Sequence, residues 1–309
     1  MTLLRVRVDS SALFAAHPPR QSHPNKQRVY QRAVPAGAIH AGAVELTRWA
    51  PMELPEGAPT HGTALEVVRD RFRYAAPPAG QVDWHLNFAD PHVFFGYGGA
   101  LFAQDEIQVA EHPVLAALRE LLEAEHPGHT MTMDGKDPTP ILVRGAERRV
   151  AIDTTAIYGN RFARASAETI DAAVQVLKPP TVSNILAIAA PAGGRGPYRS
   201  LEIEQILRTA YSGFAAAKRE SGGARVVVHT GFWGCGVFGG NRVLTPLLQL
   251  LAARWAQIDA LVFYAIDAAG EQNFEEARRR LPELERLAAP ALIAQATALR
   301  YVWGTGDGN

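Results

Sequence analysis

The spacing of apolar residues in the middle of the chain predicts a strand, a loop and a helix in succession. Residues 81–90 place Val82, Trp84, Leu86 and Phe88 at every second position, which is the period of a strand with one buried face. Residues 104–126 instead carry apolar residues at helical spacing, with a break near Pro113. The segment between them contains several glycines and predicts a loop.

The second half of the chain continues the alternation with longer apolar runs. Further candidate strands are residues 148–153, 183–192, 224–231 and 260–267. Further candidate helices are residues 200–220, 243–257 and 273–288. On the first of these helices one apolar stripe is formed by Leu201, Ile203, Ile206, Leu207, Ala210 and Phe214. Strands that alternate with helices predict an α/β fold with a largely parallel sheet covered on both faces.

The first 50 residues show no sustained period and are rich in proline, glutamine, histidine and arginine. We therefore predict an irregular N-terminal extension over residues 1–50 and a single domain over residues 51–309. The N-terminus lacks the apolar region of a signal peptide. The longest uncharged stretch near the C-terminus, residues 226–241, is too glycine-rich and too short to span a bilayer. We expect a cytoplasmic protein that does not bind membranes.

The composition of the chain limits the partners and the kinds of site that we expect. Apolar residues make up 47% of the chain, charged residues make up 20%, and the formal net charge is zero. Neutral charge gives no sign of a nucleic-acid partner, and none is expected to be required. The single cysteine, Cys235, excludes an intramolecular disulfide and a cysteine-based zinc site, and no H-E-x-x-H motif is present. We expect neither a metal ion nor a cofactor.

Residues 229–240, HTGFWGCGVFGG, contain a literal G-x-G-x-x-G at Gly234, Gly236 and Gly239. A glycine-rich turn between a buried strand and a helix presents free N–H groups, which bind phosphate. We call residues 230–240 the glycine loop and predict that it binds a diphosphate. In the dinucleotide fingerprint of a Rossmann fold the first glycine follows the strand almost directly, whereas Phe232 and Trp233 intervene here. A Rossmann-type oxidoreductase therefore stays a weaker alternative.

Two adjacent carboxylates, Asp105 and Glu106, begin the helix that follows the first glycine-containing loop. Adjacent helical residues point about 100° apart, so the two groups cannot act on one atom from the same side. One carboxylate can face a leaving group while the other contacts a sugar hydroxyl or the protein. A general acid needs a raised pKa, which burial or a neighbouring anion supplies. The alternative is that both acids serve only as partners of the helix N-terminus.

Together these stretches resemble the catalytic domain of poly(ADP-ribose) glycohydrolases. That family has a glycine loop leading to Gln-Glu-Glu, and later a strand, a Thr-Gly-Asn-Trp-Gly-Cys-Gly-Ala-Phe-Gly-Gly loop and an apolar helix. Residues 229–240 fit the later loop closely, and residues 86–118 fit the first segment more loosely. Residues 150–155 (VAIDTT) and 208–214 (RTAYSGF) match intervening family segments in the right order. The resemblance covers roughly residues 80–270.

The resemblance implies a macrodomain-like, three-layer α/β/α fold with a mixed, largely parallel sheet that binds ADP-ribose or an ADP-ribosylated substrate. It implies that Glu106 is the catalytic acid and that Asp105 is its neighbouring acid. By the same resemblance the substrate-binding residues are Asp90, Gly98, Gly99, Gln104, Gly234, Cys235, Gly236, Val237, Phe238 and Gly239. The function that it implies is hydrolysis of an ADP-ribosyl O-glycosidic bond.

The sequence departs from the family pattern at four places. The first acid of the family's pair is shortened to Asp105. Phe94, Phe95 and Gly96 occupy the positions of the family's triple glycine, and Phe232 occupies that of an asparagine. The segment in which the family carries an adenine-stacking tyrosine, here residues 122–150, contains no aromatic residue. These departures keep open a second class of function, in which the protein binds ADP-ribose or a nucleotide with little or no turnover.

Overall fold

The computed structural model describes residues 1–306 and contains ten strands, ten α-helices and two short 3₁₀ turns within that range. The strands are β1 (Thr2–Asp9), β2 (Ala43–Trp49), β3 (Ala64–Val68), β4 (Gln81–Ala89), β5 (Met133–Asp134), β6 (Asp137–Pro138), β7 (Ile141–Ile152), β8 (Val174–Ala189), β9 (Arg225–Gly231) and β10 (Ala260–Tyr264). The helices are α1 (Ser10–Ala16), α2 (Pro24–Ala33), α3 (Gln104–Glu111), α4 (Val114–Glu125), α5 (Arg161–Arg164), α6 (Ala167–Ala173), α7 (Ser200–Glu220), α8 (Leu244–Trp255), α9 (Ala268–Leu284) and α10 (Ala289–Ala298). The 3₁₀ turns are Phe95–Gly98 and Pro127–His129.

Eight strands form one mixed sheet in the order β1-β2-β7-β8-β4-β9-β10-β3. From β8 to β3 neighbouring strands are parallel, whereas β1, β2, β7 and β8 pair antiparallel with one another. Parallel strands end at the same edge of a sheet, which is where α/β proteins place their ligands. The loops that follow β4, β9 and β10 therefore meet at one edge.

The two faces of the sheet build separate cores. Along β8, Leu186 and Ile188 face the layer that contains α7 and α8, while Ile185 and Ala187 face the layer that contains α1 and α4. This alternation follows from the two-residue period of a strand. The predicted strands and helices in residues 81–288 are present, and the three-layer α/β/α architecture is confirmed.

The prediction of an irregular N-terminal segment is wrong. Val8 pairs with Val44 and Leu46 pairs with Val143, so β1 and β2 form an edge of the main sheet. β1 carries only a short local signal, because apolar residues alternate with arginines over residues 4–8 only, before the stretch without a period begins. Its pairing depends on strands far along the chain. The division of the chain into domains at residue 50 stays a prediction.

The first turn of α7 departs from the predicted stripe. Leu201 is 70% exposed, although Ile203, Leu207 and Phe214 are buried as expected. Leu201 lies at the second position of α7, where the helix has not yet reached the core, so helical period alone misplaced it. Within residues 1–306 none of the helices has the length and apolar character that a membrane span requires.

Candidate active site

A cavity of about 690 Å³ opens at the carboxyl edge of the parallel strands. Its volume lies within the usual range for small-molecule sites. Most of the residues predicted from sequence line it, namely Asp90, Gln104, Asp105, Glu106, Gly234, Cys235, Gly236, Val237 and Phe238. The structure thus brings together two segments that are more than 100 residues apart in sequence.

Gln104 fixes the start of α3 to strand β4. Its side-chain oxygen accepts a hydrogen bond from the Phe88 N–H (2.7 Å), and its side-chain nitrogen donates to the Leu86 carbonyl (3.0 Å). Both ends of the amide are therefore engaged by the main chain, although Gln104 lines the cavity. Gln104 positions the two carboxylates that follow it, a role that differs from the direct substrate contact predicted from sequence.

Glu106 is held tightly at the first turn of α3. Its carboxylate Oε2 accepts a hydrogen bond from the Ala103 N–H (2.9 Å), and only 6% of the residue is exposed. The other oxygen lies against Gly96, where a Cβ atom would stand only 2.4 Å from Glu106 Oε1. Gly96 therefore leaves the space that this carboxylate occupies, a role that the sequence comparison did not assign to it.

Asp105 is buried beside Glu106, and its Oδ1 accepts a hydrogen bond from the Asn87 side chain (2.9 Å). Burial, and then the charges of Glu106 and Asp90, raise the pKa of Asp105 well above its usual range. Asp105 therefore keeps its proton to a higher pH than an exposed aspartate does. We call Asp105 and Glu106 the carboxylate pair.

This raised pKa makes a prediction about stability. A carboxyl whose pKa is higher in the folded than in the unfolded state favours folding fully at pH values below its unfolded-state pKa. That contribution is lost as pH rises through the folded-state pKa. We expect Asp105→Asn to gain stability over the parent between pH 4 and pH 8, by about 1.4 kcal/mol per unit of pKa difference. Urea unfolding at both pH values measures the gain, and an equal difference at the two would contradict it.

Asp90 directly follows strand β4 and lines the cavity. Its Oδ1 accepts a hydrogen bond from the His92 N–H (2.9 Å), which closes a short turn after the strand. The side chain is half-buried and lines the cavity, as the resemblance predicted. Its charge adds to that of the carboxylate pair.

The glycine loop offers unpaired N–H groups to the cavity. Within residues 1–306 the N–H groups of Gly236, Val237 and Phe238 have no hydrogen-bond partner. Two hydrogen bonds within the loop hold its shape. The Gly240 N–H donates to the Gly234 carbonyl (2.8 Å), and the Gly239 N–H donates to the Gly236 carbonyl (3.0 Å). Consecutive unpaired N–H groups form a concave site for an anion.

Two glycines of this loop are required by the backbone itself. Gly234 and Gly239 have φ angles of +73° and +69°, in the left-handed region that favours glycine. Gly239 does not line the described cavity and packs instead against the main chain of Gly304. Cys235 is buried, and burial raises the pKa of its thiol well above the usual value. A neutral, enclosed thiol serves packing rather than nucleophilic chemistry.

Gly98 and Gly99 are not among the residues that line the cavity. The Gly98 carbonyl accepts hydrogen bonds from the N–H groups of Ser22 and His23, and a Cβ at Gly98 would stand 2.6 Å from the Arg20 carbonyl oxygen. Gly98 therefore joins the N-terminal segment to the loop before α3. The prediction that Gly98 and Gly99 bind substrate is therefore not supported by the cavity lining.

Sequence reasoning missed the aromatic wall of the cavity. Phe72, Tyr74 and Tyr264 line it, and the Phe72 ring lies 5.0 Å from that of Tyr264. The Tyr74 hydroxyl accepts a hydrogen bond from Gln108 of α3 (3.1 Å), which holds the segment before β4 against the helix. The alternation of aromatic and charged residues at 70–74 is visible in the sequence, but its neighbours are set only by the sheet.

A buried ion pair extends this wall along α3. The Arg148 guanidinium bonds both oxygens of Glu111 (2.9 and 3.2 Å) and lies 4.4 Å from the centre of the Tyr74 ring. Both charged residues line the cavity. Within the described part of the chain, no group of three or more histidine, cysteine, aspartate and glutamate residues is placed to hold a metal ion.

Comparison with known proteins identifies the family. A profile of the family described as poly(ADP-ribose) glycohydrolase (PARG), macro domain fold, matches residues 80–273. The chain resembles the solved PARG from Thermomonospora curvata with a TM-score of 0.51 and 20% identity, over 87% of this chain and 97% of that one. The same enzyme bound to the inhibitor ADP-HPD gives the same values. A PARG from Deinococcus radiodurans in complex with ADP-ribose shares 16% identity over 90% of this chain and 94% of that one, with a TM-score of 0.47. No curated protein is significantly similar in sequence.

The match covers more than half of the chain and includes both the carboxylate pair and the glycine loop. It sets aside the Rossmann-type interpretation of G-x-G-x-x-G, and the predicted macrodomain-like fold and enzyme class are confirmed. The chain belongs to the poly(ADP-ribose) glycohydrolase family.

Proposed function

We propose that the protein hydrolyses the O-glycosidic bond between ADP-ribose and the group attached to it, with Glu106 as general acid. The observation that carries this proposal is that one cavity is lined by both Glu106 and the three residues whose N–H groups are unpaired. An anion cradle and a buried acid are the two parts needed to hold a diphosphate sugar and to cleave its bond.

The glycine loop accounts for binding of the diphosphate. The phosphate oxygens of the ligand accept hydrogen bonds from the N–H groups of Gly236, Val237 and Phe238. Arg242, which also lines the cavity, adds a positive charge near the same loop. Fixing the diphosphate in this way positions the attached ribose near the carboxylate pair.

The carboxylate pair accounts for the chemistry. Glu106 donates its proton to the oxygen of the leaving group as the bond from that oxygen to the anomeric carbon breaks. Positive charge develops on the ribose, and the negative charge of Asp90, which lines the same cavity, stabilises it. Water then adds to the anomeric carbon, and its proton restores the acid. The products are ADP-ribose and the free hydroxyl of the attached group.

The aromatic wall accounts for recognition of adenine in place of the missing tyrosine. The rings of Phe72, Tyr74 and Tyr264 provide apolar faces on the same cavity. Flat bases stack on such faces. In this assignment the base lies on side chains from residues 72–74 and β10, so the absence of an aromatic in residues 122–150 does not remove the adenine site.

Calorimetric titration with ADP-ribose and with NAD⁺, side by side, tests the binding half of the proposal. We expect ADP-ribose to bind more tightly, and Gly236→Val to weaken its binding by on the order of 10²-fold, because a side chain blocks approach of the diphosphate to the N–H groups. Gly236 is not among the glycines with a positive φ, so a side chain there adds no left-handed backbone strain, and circular dichroism checks that the variant is folded. Preference for NAD⁺, or unaltered affinity in a folded Gly236→Val, would contradict the assignment.

A further inference from the structure

Lys26 is a buried lysine on the N-terminal helix α2, and the proposed mechanism does not use it. The chain has only four lysines among 31 basic lysine and arginine residues, and Lys26 is 2% exposed. Its ammonium lies 5.2 and 5.8 Å from the ring centres of Phe102 and Phe162. A buried charge persists only where partners compensate for the loss of water.

Those partners belong to the loop that carries Gly96. The Lys26 ammonium donates to the Tyr97 carbonyl (2.9 Å) and lies 3.4 Å from the Gly96 carbonyl. The Cα of Gly96 in turn faces Glu106, because a Cβ there would meet Glu106 Oε1 at 2.4 Å. One glycine is therefore in contact with the lysine through its carbonyl and with the acid through its Cα.

The electrostatic environment of Lys26 also links it to the carboxylate pair. The charged groups that act on its ammonium are Glu106 and Asp105, and the charged groups that act on Asp105 are Glu106, Lys26 and Asp90. Burial lowers the pKa of Lys26 to about 8, and the two carboxylates oppose that change. Lys26 is thus a cation at neutral pH, and it does not line the cavity.

We propose that Lys26 is a positioning residue for the carboxylate pair. Its ammonium holds the main chain of Gly96 and Tyr97 against Glu106, and its positive charge favours the ionised form of Asp105. The inference rests on the proposed role of Glu106 as general acid only for its effect on turnover. The electrostatic coupling itself is a property of the unliganded protein.

The signs of the charges determine the direction in which each pKa should change when its partner is removed. A nearby positive charge favours the fully ionised carboxylate pair, so removing it makes the pair hold its proton to higher pH. Reciprocally, the carboxylates favour the charged lysine, so neutralising one of them makes Lys26 lose its proton at lower pH. The carboxylates and the ammonium act on each other, and an opposite charge within about 4–6 Å shifts a pKa by about one unit or more.

The reciprocal direction gives a test that leaves Lys26 intact. Labelling the lysine side chains with ¹³C at Cε gives four signals, and the Lys26 signal is assigned by its loss in Lys26→Gln. In Glu106→Gln and in Asp105→Asn we expect the Lys26 midpoint to fall by about one pH unit, while the Lys218 signal stays in place. Lys218 pairs with Asp259 and is a matched control. An unchanged Lys26 midpoint in both variants would overturn the coupling.

The pH dependence of turnover tests whether Lys26 affects the reaction. In Lys26→Gln we expect the alkaline limb of the pH profile of kcat to move up by about one unit, whereas Lys26→Arg keeps the parent limb and Lys218→Gln changes neither limb nor rate. A uniform loss of rate with unmoved limbs would reduce Lys26 to a packing residue. If the parent cleaves no substrate, the proposed hydrolysis fails, and the NMR titration still decides the coupling.

Discussion

Replacing Glu106 by glutamine is expected to slow hydrolysis by on the order of 10²-fold or more, the usual scale for loss of a general acid. The amide oxygen can still accept the hydrogen bond from the Ala103 N–H, so the start of α3 should survive. Contacts of the diphosphate with the glycine loop do not involve Glu106. We therefore expect ADP-ribose affinity to stay close to that of the parent, with release of ADP-ribose measured over a panel of ADP-ribosylated substrates.

The chain offers a matched control for this substitution. Glu202 holds the same place in α7, where its Oε2 accepts a hydrogen bond from the Arg199 N–H (2.8 Å). Glu202→Gln therefore makes the same change to a helix start that does not line the cavity, and it should leave turnover unchanged. Asp105→Asn should cost less than Glu106→Gln. Parental turnover in Glu106→Gln, or a larger loss in Asp105→Asn, would contradict the assigned acid.

Gly96→Ala should be almost as harmful, although it adds a single methyl group. Its Cβ would fall 2.4 Å from Glu106 Oε1, while the other oxygen of that carboxylate is held by Ala103. The carboxylate must move, and displacement of a catalytic group by about 1 Å costs on the order of 10²-fold in rate. We expect that loss in kcat, with ADP-ribose affinity retained, from single-turnover kinetics and calorimetry.

Gly99→Ala is the control for this second prediction. A Cβ at Gly99 comes no closer than 3.5 Å to another atom, which is ordinary contact, and the residue does not line the cavity. It should keep nearly parental turnover and the same circular dichroism spectrum. Full activity in a folded Gly96→Ala would show that Glu106 need not occupy the position seen here.

Local patterns predicted much of the fold because the central elements carry regular apolar periods. Strand β4 has apolar residues at every second position and α7 carries an apolar stripe, so each could be assigned without its neighbours, although both faces of β4 are buried. The edge strand β3 could not, because its residues are only partly buried and its partner lies far away in sequence. Propensity and period describe a segment, whereas edge pairing is set by the whole sheet.

The candidate site also contains parts that the sequence predicts and parts that it does not. The carboxylate pair and the glycine loop are short segments whose chemistry can be recognised in the sequence. Lys26 could be suspected only from its spacing, since Lys26, Val29 and Ala33 share the buried face of α2. Its proximity to Glu106 depends on how α2 docks on the loop, which no local pattern encodes.

The position of β2 in the sheet has a consequence for the order of folding. β2 has β1 on one side and β7 on the other, and its Leu46 meets Val143. A two-stranded ribbon is at best marginally stable in water, so β1 and β2 must wait for β7 to be synthesised. β1 and β2 precede β7 in the chain, so their apolar side chains are exposed to other chains in the interval. Helix α2, which carries Lys26, lies between β1 and β2 in the chain. Docking of Lys26 near the carboxylate pair is therefore tied to the pairing of β2 with β7. That pairing closes a long loop and is slow compared with formation of a helix or hairpin.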